Sequence, residues 1–174
     1  MLVVASAALL VSATEAIPPH LADRVAGWQA LANGNLGDSS TELFDAYLGL
    51  RADFKGRRFT LSEVKGLMSR VQELSDRHFI SERVEHWPTL SEVLTKNGDD
   101  CDGLELLAYW TLRDAGEPVR RAVFTNEATG VWHIVTLWDH GGSTYILDPT
   151  GAMTLGVRKI GWLRGWKLMA EFTD

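Results

Sequence analysis

The apolar residues of this chain change period near Gly116–Pro118, and that change limits the fold more than any other feature. Before it they recur every three or four residues, the spacing of a helix face; after it they recur every second residue, the spacing of a half-buried strand. Leu21 to Ala32 carries Leu21, Val25, Trp28 and Leu31 at helical spacing, closed by Asn33-Gly34 and followed by a loop. Thr41 to Leu50 reads as a second short helix. Thr60 and Glu63 form a capping box ahead of one stripe, Leu61, Val64, Leu67, Met68, Val71 and Leu74, which predicts a core-facing helix. A second box, Thr89 and Glu92, opens a short helix ending at Asn97-Gly98. A further helix is expected from about Asp100 to Ala115, capped by Asp99 or Asp100 and stopped by Gly116 and Pro118, with Cys101, Leu104, Ala108, Leu112 and Ala115 on one face. Then "VRRAVFT", "VWHIVTLWD" and "STYILD" read as strands, joined by a turn at Asn126 to Gly130 and by "DHGG". Helices first and antiparallel strands afterwards predict an α+β fold.

At 174 residues the chain has the length of one ordinary domain. Its net charge of −6 and lack of a long basic run argue against nucleic acid as a partner. The single cysteine excludes a disulfide within the chain and any multi-thiolate metal site. The segment from Leu2 to Val11 is apolar but too short to span a bilayer stably. It reads as the hydrophobic region of an export signal, with Thr14-Glu15-Ala16 as a small-residue cleavage site. That predicts a periplasmic or secreted protein, or a cytoplasmic one if the segment packs as a helix instead.

The lone cysteine sits in "NGDDCDGLELLAYW" at a helix start, where the dipole and the first N–H groups favour a thiolate and can hold an oxyanion. The hairpin offers it two partners. If the turn is centred between His140 and Gly141, His133 faces Asp148, Val135 faces Ile146 and Leu137 faces Thr144. Asp148 would then accept from His133 Nδ1–H and fix the tautomer. Cys101, His133 and Asp148 in that order make a nucleophile, a base and an orienting acid. Against this, Asp99, Asp100, Asp102 and Glu105 surround the thiol in sequence. Asp100 and Asp102 project about 100° to either side of Cys101, which predicts that both face solvent. A zinc site on Cys101, His133 and Asp148 lacks the close His/Cys pair such sites use, so no metal and no cofactor is expected.

Other aromatic and imidazole groups are weaker candidates. Trp87 could donate its indole N–H to an oxyanion or pack beneath the Cys101 helix. Trp132 points to the opposite strand face from His133 and reads as core or sheet cover. His140 belongs to the turn, and His78 and His86 read as surface residues. The tail "GWLRGWKLMAEF" could wall a substrate groove, dock a partner, or pack as a terminal element.

The run "HWPTLSEVLTKNGDDCDGLELLAYWTLRDAGEPVRRAVF", followed by "VWHIVTL" and "YILDPTG", resembles the transglutaminase-like cysteine hydrolase superfamily, nearest to the bacterial transglutaminase-like cysteine proteinases. Trp87, Pro88, Glu92, Leu94, Asp100, Cys101, His133 and Asp148 carry the resemblance, over roughly Glu85 to Gly151. It implies a papain-like fold with the cysteine helix packed on an antiparallel sheet. It also implies a Cys-His-Asp triad acting on protein or peptide substrates by hydrolysis or amide transfer; some members are catalytically dead scaffolds. On this reading 1–17 is the leader, 18–82 a helical N-terminal region and 83–174 the catalytic core. Where relatives often carry two acids after the cysteine, this chain has Asp102-Gly103. Gly103 raises a second comparison, since "DDCDGLELL" also resembles the Asp-Cys-Ser-Gly-Leu motif of NlpC/P60 peptidoglycan peptidases, although their Gly-Asp strand and His-Val-Gly-Ile-Tyr strand are missing here.

Overall fold

The structure, a computed structural model, describes residues 41–81 and 86–173. The apolar leader and the helix expected at Leu21–Ala32 lie outside the described residues. Among the described residues four helices come first: α1 (Glu42–Phe54), α2 (Leu61–His78), α3 (Leu90–Lys96) and α4 (Cys101–Asp114). Five strands follow: β1 (Val119–Asn126), β2 (Trp132–His140), β3 (Ser143–Asp148), β4 (Gly156–Lys159) and β5 (Trp166–Phe172). All strand pairs are antiparallel, in the order β4-β3-β2-β1-β5. The fold is α+β, as the change of period predicts. Among the described residues no helix is long and apolar enough to cross a membrane.

Both capping boxes form. Thr60 accepts from Glu63 N while Glu63 takes Thr60 N, and Thr89 and Glu92 do the same. α1 runs one turn beyond the expected Leu50 because Leu43, Tyr47, Leu50 and Phe54 continue one buried stripe. α4 ends at Gly116, whose φ of 83° lets Glu117 N–H reach back to Leu112 C=O.

α4 is the central helix. Every residue from Asp102 to Tyr109 is buried, because α1, α2 and α3 pack on one side and β1 and β2 on the other. The sheet therefore has two unlike faces. Trp138, Tyr145 and Leu147 join the helices in the main core. Ala122, Phe124, Val135, Leu137 and Ile146 form a second cluster on the opposite face, covered by Met153, Ile160, Leu163 and Trp166 from the tail. The tail thus packs as sheet cover and as two strands the sequence reading did not assign. β4 has only four residues, and β5 is an edge strand that has no buried residue and whose pairing with β1 shifts between Val123 and Phe124, which disrupts the alternation.

Candidate active site

The start of α4 is held from three directions. Behind it, Asp99 N–H donates to His78 C=O (3.2 Å) and Ile80 N–H to Asp99 C=O (2.9 Å), so the end of α2 clamps the approach to Cys101. Gly98 makes that clamp possible. Its φ is 152°, and a Cβ there would lie 2.2 Å from the His78 oxygen. At the cap, Asp100 accepts from Asp102 N (3.4 Å). One turn further on, Glu105 accepts from Arg121 Nε of β1 (2.8 Å) and from Thr136 Oγ1 of β2. Arg121 Nη2 also donates to Asp102 C=O (3.3 Å). Residues i and i+4 share a helix face, so Cys101 belongs to the stripe that meets β1 and β2. The thiol is half-buried.

Gly103 has a packing cause here. A Cβ at this position would stand 2.4 Å from Asp99 Cβ and 2.8 Å from Val93 Cγ2. The close approach of α3 and Asp99 to α4 demands glycine, so Gly103 needs no peptidoglycan-peptidase motif to explain it.

The hairpin brings His133 and Asp148 together, but not as direct opposites. Its turn is Gly141-Gly142, both at positive φ, and His140 pairs with Ser143. Leu137 therefore faces Ile146 rather than Thr144. This is a shift of two residues from the expected register. Because the shift is even, His133 and Asp148 stay on one face and meet across the diagonal. The contact is His133 Nε2 to Asp148 Oδ1 at 3.1 Å, with both side chains buried. The expected Nδ1 contact is thereby replaced by Nε2. A carboxylate can only accept, so Nε2 carries the proton and Nδ1 is the ring's remaining nitrogen.

Asp148 does more than orient His133. Its Oδ1 also accepts from Thr150 N, Thr150 Oγ1 and Gly151 N, and its Oδ2 from Met153 N and Thr154 N, at 2.8–3.2 Å. Burial pushes its pKa up, but the hydrogen bond and charge of His133, with the Thr154 and Met153 N–H groups, outweigh burial and hold the carboxyl below its ordinary 3.8. The "DPTG" loop is wrapped around this one side chain. The Trp166 ring stands 6.1 Å from the His133 ring.

The acids near Cys101 do not sit as expected. Asp102 is buried and Asp100 half-buried, while Asp99 and Glu105 are fully buried. The cause is α4's central place, which turns most of its first turn toward neighbouring elements and leaves only Asp100 and Cys101 partly exposed. Carboxylate oxygens of Asp99, Asp100 and Asp102 all lie within 4.8 Å of one another. Lys96 Nζ approaches Asp99 at 3.6 Å, and Arg121 neutralises Glu105.

Among the lesser candidates, Trp132, the first residue of β2, is 54% exposed and not core. Trp87 is half-buried just before α3. His78 is buried rather than superficial and donates Nδ1–H to Asn97 C=O (3.0 Å). His86 is exposed, and His140 stacks on Trp138 at 4.4 Å. Arg121, Thr136 and the loop N–H groups escape the sequence reading. Glu105 had a signal: it lies four residues after Cys101, on a face that must be inward, where an acid requires a partner.

No family model and no curated protein matches this chain. Solved structures do match. Legionella pneumophila LapG is 20% identical with a TM-score of 0.60, over 86% of this chain and 83% of that one. A calcium-bound LapG structure matches at 19% identity and a TM-score of 0.60 over the same shares. A TGase matches at 15% identity and a TM-score of 0.50, over 78% of this chain and 39% of that one.

Proposed function

We propose that this chain, which has the transglutaminase-like fold, is a cysteine peptidase or acyltransferase acting on peptide or isopeptide bonds. The observation that carries the reading is the buried His133–Asp148 pair, joined at 3.1 Å, in a protein whose only cysteine begins its central helix. In this reading Cys101 Sγ attacks the substrate carbonyl and His133 Nδ1 takes the thiol proton. The Cys101 N–H at the helix start, aided by Trp87, holds the oxyanion. The tetrahedral intermediate collapses, and His133 gives its proton to the leaving amine. Water or an amine then attacks the acyl-enzyme, its proton passing to His133, and collapse of that intermediate breaks the bond to Cys101 Sγ, releases the product and returns the proton to the sulfur. Asp148, kept ionised by five further hydrogen-bond donors, supports the imidazolium each time. Trp132, exposed at the start of β2, provides an apolar wall for substrate. We place the activity in the periplasm or outside the cell, from the export-signal character of the leader.

The acids around Cys101 favour a second reading, a catalytically silent scaffold, because negative charge opposes thiolate formation. The pH dependence of iodoacetamide reaction decides between them. A thiolate formed near pH 6, and lost in His133→Ala, supports catalysis; a thiol titrating near its ordinary value, about 8.5, refutes it. The three aspartates offer oxygen donors of the kind calcium takes, and one LapG structure is calcium-bound, so the titration is run in calcium and in EGTA. A thiolate formed only in calcium means that the acids need charge compensation before the cysteine can act.

A further inference from the structure

The sheet face that carries His133 and Asp148 also carries a cavity of about 230 Å3. Its floor is Ile146, which shares that face with Asp148 two residues on and with Leu137 across the hairpin. Leu155 and Trp162 stand at its rim, 68% and 76% exposed, more than packing of the cover alone requires. Arg158, Lys159 and Arg164 line it, and no acid does, although the chain as a whole holds 23 acids to 17 bases. The cavity adjoins the Asp148 loop: Met153 and Thr154 line it, and their N–H groups are the two donors to Asp148 Oδ2.

Size and chemistry together narrow the occupant. The volume lies below the roughly 300–1,000 Å3 of pockets that enclose a small-molecule ligand and suits one or two side chains. An exposed indole and a leucine call for an apolar group. Arg158, paired across the ladder with Ile146 and exposed to solvent, calls for a carboxylate. An apolar residue next to an acidic one in an extended polypeptide supplies both.

We propose that this cavity is a secondary substrate site that binds an acidic, apolar segment of the polypeptide away from the bond that reacts. The inference rests on the reading of a polypeptide substrate, but its test does not require turnover. Full-length Cys101→Ala protein is titrated against fluorescein-labelled peptides of equal length, with Glu-Leu, Glu-Ser and Lys-Leu repeats, by fluorescence anisotropy. The Glu-Leu peptide binds, and the other two bind more weakly by roughly tenfold or more. Arg158→Glu abolishes the preference, Arg158→Lys retains most of it, and Leu155→Ser weakens Glu-Leu binding alone. Circular dichroism and a urea midpoint establish that each variant is folded. Equal binding of all three peptides, or binding unmoved by Arg158→Glu, overturns the proposal. So does self-association in sedimentation velocity that Arg158→Glu removes, since that assigns the cavity to a second copy. Peptide binding that persists in a protein shown to lack any thiol reactivity refutes the catalytic reading and leaves this site standing.

Discussion

Replacing Asp148 with asparagine changes one atom's chemistry at a side chain that two regions depend on. The carboxylate takes four donors on Oδ1 and two on Oδ2. An amide has one accepting oxygen, so no orientation satisfies both sides. The better one keeps the oxygen at the Oδ1 place and sets the NH2 group against Met153 N–H and Thr154 N–H. Two backbone donors are then left unmet; each unmet buried donor costs about 1–3 kcal/mol, so Asp148→Asn should destabilise by roughly 2–6 kcal/mol. The effect depends on pH in a defined direction. The folded carboxyl titrates below its ordinary 3.8, so its contribution is fully present above that value and is lost as pH falls through the lower folded pKa. Urea unfolding of both proteins at pH 7 and at pH 3 measures this, and the gap between them should narrow at the lower pH. Amide exchange should locate the loosening at residues 150–154. A cost below about 1 kcal/mol at pH 7, or a gap independent of pH, would refute the assignment of this carboxylate as the anchor of its loop.

Three further outcomes are expected. Gly103→Ala forces a methyl group into Asp99 and Val93, so it should cost about 1–3 kcal/mol in urea unfolding and slow iodoacetamide reaction at Cys101 by shifting the first turn of α4; an unchanged midpoint contradicts the close approach. Glu105→Gln leaves Arg121 buried without its counter-charge and should cost about 3–5 kcal/mol, whereas the double change Glu105→Leu with Arg121→Met should recover most of it. If the single and double variants are equally unstable, the ion pair is not what couples α4 to β1. Thr60→Ala removes a cap remote from the site and should lower stability by about 1 kcal/mol while leaving the Cys101 titration where it was.

The elements were legible in the sequence wherever local chemistry decides them. Thr60–Glu63 and Thr89–Glu92 cap their own helices with atoms three residues apart, and Gly116 ends α4 through a conformation only glycine takes freely. Period two marked β1, β2 and β3 at turn-bounded runs of β-branched and aromatic residues, although both faces of these strands are covered, one by the helices and one by the tail. It was silent for β4, which is too short to show a period, and for β5, an edge strand that has no buried residue and is bulged against its partner. Parity alone was enough to put His133 and Asp148 on one face, and this survived a turn two residues out of place, because side chains alternate and an even slip preserves the face.

The remaining facts belong to packing between elements distant in sequence. That His133 presents Nε2 rather than Nδ1 to Asp148 is settled by how the ring packs, which strand parity does not specify. That Asp148 anchors a loop follows from where residues 150–154 return. The burial of Asp102 and Glu105 could not be read from helix geometry around Cys101, since a helix wheel tells which residues share a side but not how many sides are covered. From Asp102 to Tyr109 α4 is covered on all of them, by three helices and two strands. The same contacts that fix the cysteine's place therefore bury the acids beside it, and only the tertiary structure decides that both happen at once.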